Sequence, residues 1–160
     1  MKNKLVPIIG IVLVLLATFG SSSRQNRKQP AAQTPAASNY KTLEELQGKI
    51  ERVYDQANPG CYSFRYDDLI AVLDIWGDMT RRSVVESAVT NDELFEAWET
   101  NVQNLAGNAA EVQRWFDNGG HPEVTVMVNL VNRDNHADIY ASASRGQILY
   151  DAVAERRAQG

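Results

Sequence analysis

The run Leu5–Phe19, LVPIIGIVLVLLATF, contains no charged residue, follows Lys2 and Lys4, and ends at Gly20-Ser21-Ser22-Ser23. A basic start, an apolar centre and a small-residue exit form the layout of a secretory signal. A helix that spans a bilayer needs roughly 17–25 residues for a hydrocarbon core of ~30 Å. Counted through Ser23, the uncharged stretch reaches nineteen residues, enough for a short or tilted span. Two readings follow for residues 1–23, a cleaved signal peptide and an uncleaved signal-anchor helix. The flanking cations nearly balance, with Lys2, Lys4 and the amino terminus facing Arg24, Arg27 and Lys28, so the positive-inside rule alone leaves the orientation close to tied. A buried core helix is the competing reading. Pro7 and Gly10 make the run a poor soluble helix.

The segment that follows, Arg24–Asn39 (RQNRKQPAAQTPAASN), has almost no large apolar side chain. It cannot bury enough surface to offset its ordering entropy. Residues 24–41 therefore read as a tether that holds a domain off a membrane. The lysine-rich start, the Leu/Val/Ile/Ala core and the Gly-Ser-Ser-Ser exit resemble bacterial lipoprotein precursors. Those proteins carry an acylated cysteine just after the core, where this chain has Phe19-Gly20-Ser21. The resemblance thus implies a cell-envelope location and no covalent lipid.

Beyond the tether, about 120 residues form one domain-sized unit, 42–154, with a polar tail at 155–160. Six of the sixteen Lys and Arg residues lie at or before Lys41, and no Asp or Glu does. From Thr42 onward, ten cations face all twenty carboxylates, a net charge of −10. An acidic body without a basic, aromatic-studded patch is unsuited to nucleic acid. The single cysteine, Cys61, excludes an intrachain disulfide and any cysteine-based zinc site.

Thr42 and Glu45 have capping-box spacing, and Leu43, Leu46, Ile50, Val53 and Ala57 form one apolar stripe, so the chain predicts a helix stopped by Asn58-Pro59-Gly60. Tyr62, Phe64 and Tyr66 alternate with polar residues as a strand with an aromatic face. Asp67-Asp68 is a turn, and Leu69–Trp76 is a central strand. Thr80–Val89 is a short helix. Thr90 with Glu93 then opens a long one, in which Phe95, Trp98, Val102, Leu105, Ala109, Val112 and Phe116 step by three and four. That seam either lies along the domain's own sheet or recruits a partner helix. Val124–Leu130, Ile139–Ala143 and Ile148–Ala152 alternate as three more strands, with Arg145-Gly146 as a hairpin turn. The expected fold is α+β: an antiparallel sheet of about five strands, made of a hairpin, a helical excursion and a three-stranded meander, with helices packed on one face and the hydrophobic helix in front. Leu69–Trp76 and Val124–Val131 are expected to be neighbours in the middle.

The segment Asn129–Asp151 (NLVNRDNHADIYASASRGQILYD), together with LDIWGDM at Leu73–Met79, resembles small, uncharacterised exported proteins of Gram-positive bacteria. The likeness runs over Leu69–Val153 and implies export, with no activity and no functional residues attached.

Three constellations could carry chemistry. Asp134, His136 and Asp138 in NRDNHAD are candidate metal ligands, although Asn- and Asp-rich loops more often bond their own backbone in turns. Asp67, Asp68, Asp74 and Asp78 frame one strand and could do acid–base work if brought together. Cys61 with His121 or His136 could form a nucleophile–base pair. No dinucleotide, phosphate-loop, zinc-protease or nucleophile-elbow motif is present, and no cofactor is expected. The expected function is a membrane-tethered or secreted extracytoplasmic binding module whose open sheet face meets a partner. The alternatives are a self-assembling envelope component and a hydrolase built on carboxylates or a Cys–His pair.

Overall fold

The computed structural model describes residues 40–160; the leader and tether expected at residues 1–39 lie outside the described residues. The elements run α1 (Leu43–Ala57), β1 (Tyr62–Asp67), β2 (Ile70–Ile75), α2 (Arg82–Ala88), α3 (Asp92–Asn118), β3 (Thr125–Val131), β4 (Ile139–Ser144), β5 (Gln147–Asp151) and α4 (Ala152–Gln159), with a short 3₁₀ turn at Asp78–Thr80. The class is α+β, with one five-stranded sheet in the order β1-β2-β3-β4-β5.

Helix α1 starts where its capping box directs. Glu45 N–H donates to Thr42 Oγ1 (3.2 Å), and Thr42 N–H donates to Glu45 Oε2 (2.7 Å). Leu46, Ile50 and Tyr54 are its buried stripe. Gly60, at φ +68°, supplies the reversal into β1. The aromatic face of β1 turns toward the core, where Tyr66 meets Phe116 edge-on with ring centroids 6.3 Å apart.

The sheet is mixed, which corrects the all-antiparallel expectation. β2 and β3 are indeed neighbours, but they run parallel, from Ile70 opposite Thr125 to Ile75 opposite Leu130. The other three pairings are antiparallel. The reason lies in α3. A 27-residue helix is about 40 Å long at 1.5 Å per residue, whereas a six-residue strand spans about 20 Å. Leaving β2 at Ile75, the chain is carried by α3 back past the whole sheet. It re-enters level with the start of β2, where Thr125 N–H donates to Leu69 O (2.8 Å). A long helical crossover of this kind is what parallel pairing requires.

The apolar seam of α3 lies against the sheet. Trp98, Val102, Leu105, Ala109, Val112 and Phe116 are all buried, in one cluster with Ala71, Leu73 and Ile75 of β2, Val126, Val128 and Leu130 of β3, and Ala141 and Ala143 of β4. The seam is therefore used inside the domain rather than offered to a partner helix. Gln113 adds a polar clamp. Its Nε2 donates to Val124 O and its Oε1 accepts from Val126 N–H, each at 2.9 Å, so the helix satisfies backbone groups at the entry to β3. The N-cap of α3 is Asn91, whose side chain accepts from Leu94 N–H (3.0 Å), and not Thr90.

The polar stretch expected at 155–160 is largely helical. β5 stops at Asp151, and Ala152–Gln159 are helical. Asp151 Oδ1 accepts from Val153 N–H and Ala154 N–H, which nucleates α4, and it also takes the indole N–H of Trp98 (2.9 Å). Val153 is buried, and Arg157 donates to the carbonyls of Ala88 and Val89. The tail therefore belongs to the domain. All four helices contribute buried residues to the one cluster, on the same side of the sheet.

Gly107 sits inside α3 on its solvent side, and a Cβ there would meet nothing within 4 Å. Gly107→Ala should stabilise the domain by about 0.5–1 kcal/mol through helix propensity. That corresponds to a rise in Tm of roughly 2–6 °C in a melting curve. A fall would mean that the outer side of α3 is covered or kinked at this point.

Candidate functional site

The second face of the sheet carries none of the cluster residues, and strand alternation dictates what it displays. The register places Ser63, Asp74, Asn129, Ser142 and Tyr150 in one row across β1 to β5. A parallel row holds Arg65, Val72, Met127, Ser144 and Gln147. Polar side chains between apolar neighbours on a half-covered sheet must find partners, and these do. Ser142 Oγ donates to Asn129 Oδ1 (2.7 Å), Asn129 Nδ2 donates to Asp74 Oδ1 (2.8 Å), and the Arg65 guanidinium donates to Asp74 Oδ2. The chain of bonds crosses four strands and ends on a carboxylate neutralised by Arg65. Asp74 is only 6% exposed and Asn129 only 2%, whereas more than half of the Arg65 side chain is open to solvent.

Trp76 continues this face beyond β2, its backbone N–H bonded to Cys61 O (3.0 Å), and its ring is stacked on His136 with centroids 3.9 Å apart and an interplanar angle of 20°. His136 is held there by a left-handed backbone, φ +53°, and by its N–H donating to Asn132 O (2.7 Å).

The candidate metal ligands Asp134, His136 and Asp138 lie in this same loop. The loop bonds itself, as Asn- and Asp-rich turns do. Asn132 Oδ1 accepts from Asp134 N–H, Asn135 Oδ1 accepts from Ala137 N–H, and Asp138 Oδ2 accepts from the side-chain amides of Asn135 (2.8 Å) and Asn132 (3.3 Å). These amides, Asn135 first and then Asn132, hold the Asp138 carboxyl below its ordinary pKa. Among the described residues no three His, Cys, Asp or Glu side chains converge as a metal site.

The four framing aspartates are dispersed. Asp67 and Asp68 lie at the β1–β2 turn, Asp78 lies beyond the other end of β2, and Asp74 lies between them on the second face. The strand alone separates its two ends by about 20 Å. Asp78 is paired with Arg133 and Arg81. Cys61 and His121 are also apart. Cys61 precedes β1 beside Trp76, while His121 precedes β3 at the opposite end of the strands, its Nε2 lying 2.7 Å from Lys41 O. Cys61 and His136 share Trp76 as a neighbour, but no hydrogen bond joins them among the described residues.

The row's members were only partly visible in the sequence. Asp74 stands out as a carboxylate inside an apolar strand, and it proves to be paired. Asn129 and Ser142 carry the same signal, a polar residue out of phase with the core-facing residues of its strand. No family model, curated protein or solved structure matches the chain.

Asn129→Ala removes a donor from Asp74 and an acceptor from Ser142 in a buried position. It should cost roughly 1–3 kcal/mol in urea unfolding. Ser63→Ala, on the same row but exposed and outside the bond chain, should change stability by less than about 0.5 kcal/mol. Equal effects would show that the row is not formed.

Proposed function

We propose that the protein is an extracytoplasmic binding module, held at a membrane by its N-terminal apolar segment, whose uncovered sheet face engages a protein partner. The observation that carries this reading is the bonded row Arg65–Asp74–Asn129–Ser142 on the face opposite all four helices. Its side chains are fixed before any partner arrives, and preorganisation lowers the ordering cost of association. The face also has the composition of a contact surface. Trp76, Met127, Arg65 and Tyr150 belong to the residue types enriched at interface centres and hot spots, and the buried carboxylate of the face, Asp74, is paired with Arg65. The tether and the apolar run at residues 5–19 support the location. Five strands about 4.8 Å apart and about 20 Å long make a face smaller than the ~800 Å² per partner of a standard interface, which suits a transient contact.

The test is site-specific photo-crosslinking of the full chain in its host membrane, with the probe at Met127 on the second face or at Glu99 on the outer side of α3. A discrete adduct from position 127, absent from position 99 and suppressed by Arg65→Ala, is expected. Adducts of equal yield from both positions would contradict the reading. An adduct of twice the chain's mass would assign the face to self-association instead.

A further inference from the structure

A cavity of about 290 Å³ opens where α2, α4, β4 and β5 meet, lined by Arg82, Glu86, Asp138, Tyr140, Tyr150 and Arg156. Of its lining, Tyr150 alone also belongs to the binding face just described. Two β-bulges shape its wall. Tyr140 is the extra residue between the pairs Val131–Ile139 and Leu130–Ala141, and Leu149 is the extra residue between Ser142–Tyr150 and Ala143–Ile148. Bulges re-aim side chains, and they concentrate at sheet rims beside binding sites. Here the first bulge takes Tyr140 out of strand alternation, so that its ring joins the core while the residue lines the cavity. Tyr140 is 6% exposed, and its hydroxyl makes no hydrogen bond among the described residues. The oxygen itself is not enclosed: at the cavity wall it has no protein partner and is open to whatever enters.

The surrounding charges narrow the class of ligand. Two guanidinium groups and two carboxylates flank the phenol, so a net anion or cation gains little. Arg82 is already paired with Glu86, and Asp138 is oriented by Asn132 and Asn135. Arg156 forms no ion pair among the described residues. What stays available is a neutral donor–acceptor set around an aromatic wall: the hydroxyls of Tyr140 and Tyr150, the fork of Arg156, and the second oxygens of Asp138 and Glu86. Such a set complements a ring with hydroxyls on its rim and C–H groups on its faces. The volume lies at the lower end of ligand cavities, roughly 300–1,000 Å³, which suits one ring rather than several. We propose that this cavity binds a single hexopyranose ring, either a free sugar or the terminal unit of a glycan. Burial, with a smaller contribution from Asp138, keeps the Tyr140 phenol above its ordinary pKa, so it donates as a neutral hydroxyl throughout the physiological range.

The test uses the full chain in a sugar-free polyoxyethylene detergent with isotope-labelled tyrosine, titrated with methyl glucoside, N-acetylglucosamine, its linear trisaccharide, glycine and inorganic phosphate. Saturable shifts of the Tyr140 and Tyr150 signals are expected for saccharides, with a Kd on the order of millimolar for a ligand of this size. Tyr140→Phe keeps the ring and removes one oxygen, and it should weaken binding by about three- to tenfold. Tyr62→Phe, whose hydroxyl bonds Asp55 at the opposite edge of the sheet (2.8 Å), should leave binding unchanged. Tighter binding of the trisaccharide than of its monomer assigns the site to a glycan end, and equal binding assigns it to free sugar. The proposal is overturned if no saccharide shifts these signals up to its solubility limit. Saturation by glycine or phosphate in place of sugars also overturns it, as does undiminished binding to Tyr140→Phe.

Discussion

The burial of one side of α3 on the sheet is the contact from which the rest of the architecture follows. Six side chains from Trp98 to Phe116 are covered along this line, and losing one of its large members would cost about 3–5 kcal/mol by the usual cavity penalty. Because α3 outruns the strands it covers, the chain must re-enter the sheet where β2 began, and β3 is forced parallel to β2. With the central strip of one face occupied by α3, the remaining helices pack at its flanks: α1 over β1, α2 beside α3, and α4 against the start of β4. The second face is left to the strands' own side chains.

That arrangement explains why the polar row exists. Asp74, Asn129 and Ser142 occupy positions too crowded for free hydration yet not roofed by a helix, so each must bond a neighbour or bear a desolvation cost. The bonds run sideways across the strands, and they add a second set of links to the backbone ladder between β1 and β4. Loops at both ends are similarly tied. Arg133 joins the 3₁₀ turn through Thr80 O and Asp78, and Lys41 is bonded to Gly119 O and to His121. The cavity at the β4–β5 rim differs from this pattern, since the Tyr140 hydroxyl opens into it without a protein partner.

Much of this was legible from residues alone. The capping box of α1, the three-four spacing of α3, the Arg145-Gly146 hairpin with both residues at positive φ, and the aromatic core side of β1 are local signals with local consequences. Strand direction was not legible, because alternation has period two whichever way a strand runs. The sequence pattern strand–helix–strand did carry the parallel arrangement, once the length of α3 is compared with that of β2. Helix α4 was hidden because its sequence is short and polar, and its stability comes from Asp151 as cap, Val153 as anchor and Arg157 as a tie to α2. Thr90 and Asn91 both have capping chemistry one residue apart, and only packing selects Asn91. The cavity was invisible because it depends on two bulges, which shift a residue's face without any mark in composition. His136 has a turn residue's left-handed backbone and stacks on Trp76, sixty positions earlier, a contact that no local pattern announces.

The central claim is that the sheet is one-sided, and thiol accessibility tests it directly. In the full chain with Cys61→Ser, a cysteine is placed at Met127 or at Val128, adjacent positions on opposite faces of β3, and its rate of reaction with a maleimide is measured under native conditions. The account predicts that the half-buried position 127 labels from the native state without any opening, and that labelling at 128 is slowed by several orders of magnitude to the rate of global opening. Equal protection at the two positions would mean that something covers the second face, and would contradict the account.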